Sequence, residues 1–264
     1  MDRISLNSVS TFRLTLSEAL PIYARHGITK VALWRDVIDP IGLAETKRLV
    51  KAHGMQVTSI CGWLTRDKAS ITVADRKASI DIAAELGAKS IAVLVPPFTS
   101  EDRNLTEARQ RGFDFVAELL DHGRKRGIQL ALEPIHPGLT LKLSCLNSLD
   151  QAADWCRRLG PGIGLELDLC NIWHEPDLTG RTGDLLREGL ITGIQICDVR
   201  ADGIPERAMI GRGVADVAGF VQAAEAAGYA GDYEVELIGA GLWDQPIETF
   251  MTEMAQACRN LELG

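Results

Sequence analysis

Four apolar segments of the chain each end on a side chain that can bind a hard cation. They are QLALEP with Glu133, IGLELD with Asp168, GIQICD with Gln195 and YEVEL with Glu236. Three carboxylates and one carboxamide converging would make an oxygen-rich site for a divalent ion. Each segment reads as a buried strand, and side chains alternate along a strand. Glu133 therefore shares a face with Ala131, Asp168 with Glu166 and Gly164, and Glu236 with Glu234. An acid turned into a barrel core is costly unless it is paired or metal-bound. One strand-end carboxylate is ordinary, as a helix cap or the partner of a Lys or Arg. Four such ends on neighbouring strands are better explained by one shared ion. Parity does not choose between Glu234 and Glu236, but Glu236 lies nearer the C-terminal end of its segment.

The elements that must position these residues alternate along the whole chain. Strand-like runs cover 4–9, 30–34, 56–61, 90–95, 129–133, 162–168, 191–197 and 232–237. Helix-spaced segments follow them over 15–26, 43–53, 73–86, 105–126, 148–159, 183–188, 214–227 and 247–261. Most of these stop at a glycine, such as Gly54, Gly87 or Gly127, as helix C-termini do. Eight strand–helix units predict a parallel sheet closed into a single (β/α)8 TIM barrel, one domain spanning 1–264. No GxGxxG follows the first strand, which weighs against an open dinucleotide-binding sheet. Barrels of this kind build active sites at the C-terminal ends of their strands, where the four oxygen donors sit.

Composition narrows the class. At 264 residues, with 46% hydrophobic and 24% charged positions, the chain suits one large α/β unit. A formal charge of -8 argues against a nucleic-acid partner. No apolar run reaches membrane-spanning length, and MDRISLNSVSTF shows no secretory h-region, so no membrane partner and a cytoplasmic location are expected. The cysteines at 61, 145, 156, 170, 197 and 258 form no CxxC pair. We read them as reduced core thiols, including Cys170 and Cys197 beside the candidate ligands.

The chain resembles the xylose isomerase-like barrels, in particular the branch of sugar phosphate isomerases and epimerases that includes hydroxypyruvate isomerase and the ketohexose 3-epimerases. The resemblance covers essentially the whole length. It is carried by LALEPIHP (130–137), ELDLCNIWH (166–174), ICDV (196–199), ERAMIGRGVADVAGF (206–220) and AAGYAGDYEVELIG (226–239), with ALWRD (32–36) and SIC (59–61) in the front half. It implies a divalent metal held by Glu133, Asp168, Gln195 and Glu236, with Glu133 and Glu236 also serving as the acid/base pair. It implies substrate contacts from His136, which matches the family's EPxHP, and from Arg207 in ERAMIGRG. Trp34, at the end of the second strand, is a candidate pocket floor. Two positions depart from common relatives: Gln195 stands where many have histidine, and Asn171 stands three residues after the aspartate, with His174 three further on as a candidate substrate contact. Gln195 shifts ligation toward oxygen and so toward Mn or Mg, with Co or Zn as alternatives.

The implied function is a metal-dependent sugar isomerase or epimerase. It would remove a proton next to a carbonyl through a metal-stabilised enediolate, acting on a small carbohydrate-like substrate. The alternatives are a dehydratase, lyase or deglycosidase using the same enolising step, or a degenerate sugar-binding barrel. Five histidines, three of them on predicted helices, argue against the zinc-cluster nuclease branch. Specificity would lie in loops 62–70, 96–104, 137–146 and 199–212, which carry no readable code. A homo-oligomer is left open.

Overall fold

The computed structural model describes residues 1–202 and 206–261. Eight parallel strands close into a barrel: β1 (Ile4–Asn7), β2 (Lys30–Trp34), β3 (Gln56–Cys61), β4 (Ser90–Val93), β5 (Gln129–Leu132), β6 (Ile163–Asp168), β7 (Ile191–Ile196) and β8 (Tyr233–Val235). Each strand is followed by a helix: α1 (Leu16–Arg25), α2 (Gly42–Ala52), α3 (Val73–Leu86), α4 (Leu105–Arg126), α5 (Leu149–Leu159), α6 (Leu178–Arg187), α7 (Val217–Ala226) and α8 (Ile247–Arg259). The fold is the (β/α)8 barrel that the alternation predicts. No helix among the described residues is long and apolar enough to cross a membrane.

Local chemistry explains the punctuation. Thr72 and Asp75 form a capping box at the start of α3, while Asn104 and Ser148 cap α4 and α5. Gly87 and Gly127 end α3 and α4 at φ 73° and 70°, in the left-handed region where a Cβ is penalised. Leu6, Leu33, Ile60, Val93, Leu132, Leu165, Ile196 and Val235 join the helices in one hydrophobic cluster. The alternate positions turn inward, and in β1, β3, β6, β7 and β8 many of them are polar.

Two expectations need correction. The helix predicted over 183–188 begins at Leu178. Its N-cap, Asp177, sits at φ 49°, and the polar run with Gly180 and Gly183 hides the helical period. The helix predicted from 214 begins at Val217, where Asp216 caps the Gly219 N–H at 2.9 Å. Three one-turn helices, Arg35–Ile38, Leu169–Ile172 and Ala240–Trp243, and an antiparallel pair, Asp198–Val199 with Arg207–Ala208, carry no period for a sequence to show. All six cysteines are buried and free.

Candidate active site

Register decides which side chains meet. Gln195 pairs with Asp168 on one side and with Glu234 on the other. Glu133 and Glu236 continue just past the ends of β5 and β8, their N–H groups bonding Val93 and Ile196 at 3.2 Å. All four expected ligands are buried, and so are Glu166 and Glu234. The expected carboxylates are joined through nitrogen donors. Asn171 Nδ2 donates to Glu133 Oε1 at 2.9 Å and to Asp168 Oδ2 at 2.7 Å. Arg207 Nη2 donates to both Asp168 Oδ2 and Glu236 Oε2. Asn7 Nδ2 links Glu234 Oε1 at 2.6 Å to Glu236 Oε1 at 2.9 Å.

Five buried carboxyl groups inside one barrel perturb one another. Burial pushes Glu133 and Glu166 well above the ordinary carboxylate range, and neighbouring acids push both further. Burial also raises Asp168 against the pull of Arg207 and the Cys170 N–H. It lifts Glu234 against its hydrogen-bond donors. Glu236 is pushed up to about 8 by burial, with Arg207 opposing. For Arg207 burial works downward, but Asp168 and Glu236 outweigh it and hold the guanidinium above its usual value. Burial, then Glu234 and Glu236, raise the Cys61 thiol. Cys61 Sγ and oxygens of Glu234 and Glu236 all lie within 4.8 Å of one another.

The donor chemistry fits a divalent ion. Gln195 Nε2 donates to Glu234 Oε1 at 2.7 Å, which fixes the amide's orientation, because a flipped amide would set oxygen against oxygen. Its Oε1 is then left buried with no hydrogen-bond partner. Such an orphan acceptor needs an explanation, and coordination of an ion is one of the standard ones. Glu133, Asp168 and Glu236 supply further hard oxygens and the excess negative charge that a cation would neutralise.

The substrate-side candidates are distributed around this centre. His136 and His174 meet edge to face, ring centroids 4.6 Å apart. Burial, then His174, lower the His136 pKa; its Nδ1 accepts from Gly138 N at 3.1 Å and its backbone N–H donates to Asn171 Oδ1 at 3.3 Å. Trp34 is half-buried at the end of β2, its indole Nε1 buried without a partner. Arg207 is delivered by the antiparallel pair. Part of that specificity loop, 203–205, lies outside the described residues.

Several organising residues escaped the sequence. Asn7 carries no signal in the sequence that sets it apart within its strand. Asn171 stands out there as a departure, not as the bridge between two ligands. Asp198 is buried and accepts backbone N–H groups of Val199, Gly211, Gly213 and Ala215 at 2.8, 3.1, 2.8 and 3.0 Å. It ties the strand pair that presents Arg207 to the loop behind it. A Cβ on Gly213 would lie 2.2 Å from the Val199 carbonyl oxygen. Gly213→Ala should therefore displace Arg207 and slow turnover by about 10- to 100-fold, since misplacement of order 1 Å carries that cost. Unchanged turnover in a folded Gly213→Ala protein would show that this loop does not set Arg207.

The family model for the xylose isomerase-like TIM barrel matches residues 20–258. Among solved structures, a protein from Sinorhizobium meliloti 1021 is 32% identical, with 100% of this chain and 99% of that one covered and a TM-score of 0.91. IolI with a bound zinc atom is 18% identical, with 98% and 97% covered and a TM-score of 0.79. D-psicose 3-epimerase from Clostridium cellulolyticum H10, with D-tagatose, is 11% identical, with 98% of each chain covered and a TM-score of 0.76. No curated protein matches the chain.

Proposed function

The chain belongs to the xylose isomerase-like TIM barrel family, and on that premise we propose that it is a metal-dependent isomerase or epimerase of a carbohydrate-like carbonyl compound. The orphaned Gln195 Oε1, on the strand position paired with Asp168 in a barrel that also buries Glu133 and Glu236, is the observation that carries the reading. The fold-level likeness to a ketose 3-epimerase supports it. Glu133, Asp168, Gln195 and Glu236 would hold the ion, Mn or Mg by donor type, and the ion would supply Lewis acidity toward a carbonyl oxygen.

The chain's own residues handle the proton. Glu133 and Glu236 come from β5 and β8, three strands apart around the ring, so a substrate fits between them. One takes a proton from the carbon next to the carbonyl; the other returns a proton to the opposite face or the neighbouring carbon. Arg207 balances negative charge as it develops on oxygen. His136, whose pKa burial and then His174 lower, offers a hydrogen bond to a hydroxyl, with His174 and Trp34 closing the wall.

The test is solvent exchange. Protein reconstituted with Mn and incubated in deuterated water with ketoses, hydroxypyruvate and inosose-type ketones should place deuterium next to the carbonyl of one class, read by NMR. Chelation should stop the uptake and Mn restore it. Uptake accompanied by loss of water would move the reading to a dehydratase. No uptake from folded, Mn-loaded protein would overturn enolising chemistry on these substrates.

A further inference from the structure

Arg76 is a buried cation for which the chemistry above has no use. It projects from the first turn of α3, and only 3% of it is exposed. No hydrogen bond or ion pair reaches its side chain among the described residues, and its Nε is buried without a partner. The nearby cations are engaged. Arg35 holds Asp39 and donates to Ser79 Oγ at 2.8 Å. Arg66 pairs with Asp75 at 3.0 Å. Lys68 Nζ donates to the carbonyls of Trp63, Leu64 and Arg66. Arg35 and Arg66 both lie over the Trp63 ring, at 4.6 and 4.5 Å. Among these four cations only the Arg76 side chain has no hydrogen-bonded or ion-paired partner.

Its position is specific. An ideal Cβ on Gly62 would fall 2.8 Å from Arg76 Nη1, so the guanidinium lies against a backbone that carries no side chain. Gly62 follows Cys61, the last residue of β3, at the barrel end where the acids gather. Burial lowers the guanidinium's pKa to about 10, with Cys61 and then Glu133 opposing it. The cations around it have their own acids: Asp39 holds Arg35 and Asp75 holds Arg66.

A buried charge with no partner is strongly unfavourable. No hydrogen bond or ion pair joins Glu133 to Arg76; Glu133 Oε1 accepts from Asn171 instead. Resting on the reading that Glu133 and Glu236 act on a carbonyl compound, we propose that Arg76 receives an oxyanion of the substrate, a carboxylate or a phosphate, at the end remote from the reacting carbon. The substrate is then an acidic keto compound, not a neutral ketose. Arg76 is a specificity residue: its planar fork matches either oxyanion through two parallel N–H donors.

Three probes separate the possibilities in the Mn-loaded full chain: fructose, hydroxypyruvate and fructose 6-phosphate, each scored by kcat/KM for deuterium exchange. One anionic probe should exceed fructose by about 10- to 100-fold, the scale of one lost hydrogen-bonded charge contact; which one tells carboxylate from phosphate. Arg76→Met should erase that preference through KM, and Arg76→Lys should restore part of it. Equal use of fructose by the wild type, or an intact anionic preference in folded Arg76→Met, overturns the proposal and leaves the enolising reading standing. If Arg76→Met does not fold, the KM split in Arg76→Lys decides in the same way. If no probe exchanges, the enolising reading fails, and calorimetric titration with hydroxypyruvate and inorganic phosphate still judges Arg76. Binding weakened in Arg76→Lys supports its role, whereas no binding to the wild type, or equal binding to the variant, removes it.

Discussion

Glu236→Gln should reduce deuterium exchange by about 10²- to 10⁴-fold at saturating Mn, the range a positioned acid or base contributes. The carboxamide keeps one oxygen for a metal but cannot carry the proton. Working at saturating Mn separates lost chemistry from lost affinity, and an unchanged melting temperature separates both from misfolding. Glu133→Gln should behave alike, with exchange blocked from the opposite face. Glu234→Gln is the informative control. Glu234 already accepts from Asn7, Gln195 and Ser59, the last at 2.7 Å. Three neutral donors on one carboxylate favour a structural acid, whereas Glu236 has Arg207 on one oxygen and Asn7 on the other. If Glu236→Gln retained a tenth or more of wild-type exchange while Glu234→Gln lost it, the roles of the two glutamates would be reversed.

Arg207→Ala should have its largest effect on the metal-free protein. Its guanidinium is the cation shared by Asp168 and Glu236, and all three side chains are largely buried. Removing one partner of a buried ion pair costs about 3–5 kcal/mol, because the remaining charges lose their counter-ion. For a chain of this size that is a fall in melting temperature of order 10 °C. Mn should restore more stability to the variant than it adds to the wild type, since an ion binding only the folded state stabilises it by linkage. Mn should also bind the variant at least as tightly, because no guanidinium competes for Asp168 and Glu236. Scanning calorimetry with and without Mn, together with a Mn titration, tests both statements. A metal-free variant as stable as wild type would show that Arg207 is not the counter-ion. Weaker Mn binding would show that Arg207 helps to hold the metal instead of standing in for it.

What the sequence made legible follows from where each residue sits. Strand-borne acids announce themselves, because an apolar run ending in Glu or Asp has few innocent explanations, and the alternation of strands and helices gives the barrel from patterning alone. Asn7, Asn171, Asp198 and Arg76 are polar residues of ordinary type whose importance comes from register and loop geometry. Asn7 meets Glu236 only because β1 pairs with β8. Asp198 matters because four N–H groups from a later loop curl back onto it. Arg76 looks like any first-turn helix arginine until Gly62 is seen to make room for it. The start of α6 was hidden by two glycines and a capping aspartate at positive φ, features that lower helical propensity without forbidding the helix.

The bonds from Asn7 to Glu234 and Glu236 also bear on the order of folding. They join positions 227 and 229 residues apart, across the same seam that pairs Ile4 with Tyr233. Contacts of such sequence separation form late, because the whole intervening chain must be ordered first. During synthesis the N-terminal strands emerge long before β8. Until then Asn7 has no carboxylate to hold, and the acids of β5 and β6 stand without their last neighbour. Assembly of the acidic ring is thus the final act of barrel closure, and no N-terminal fragment of the chain can carry it.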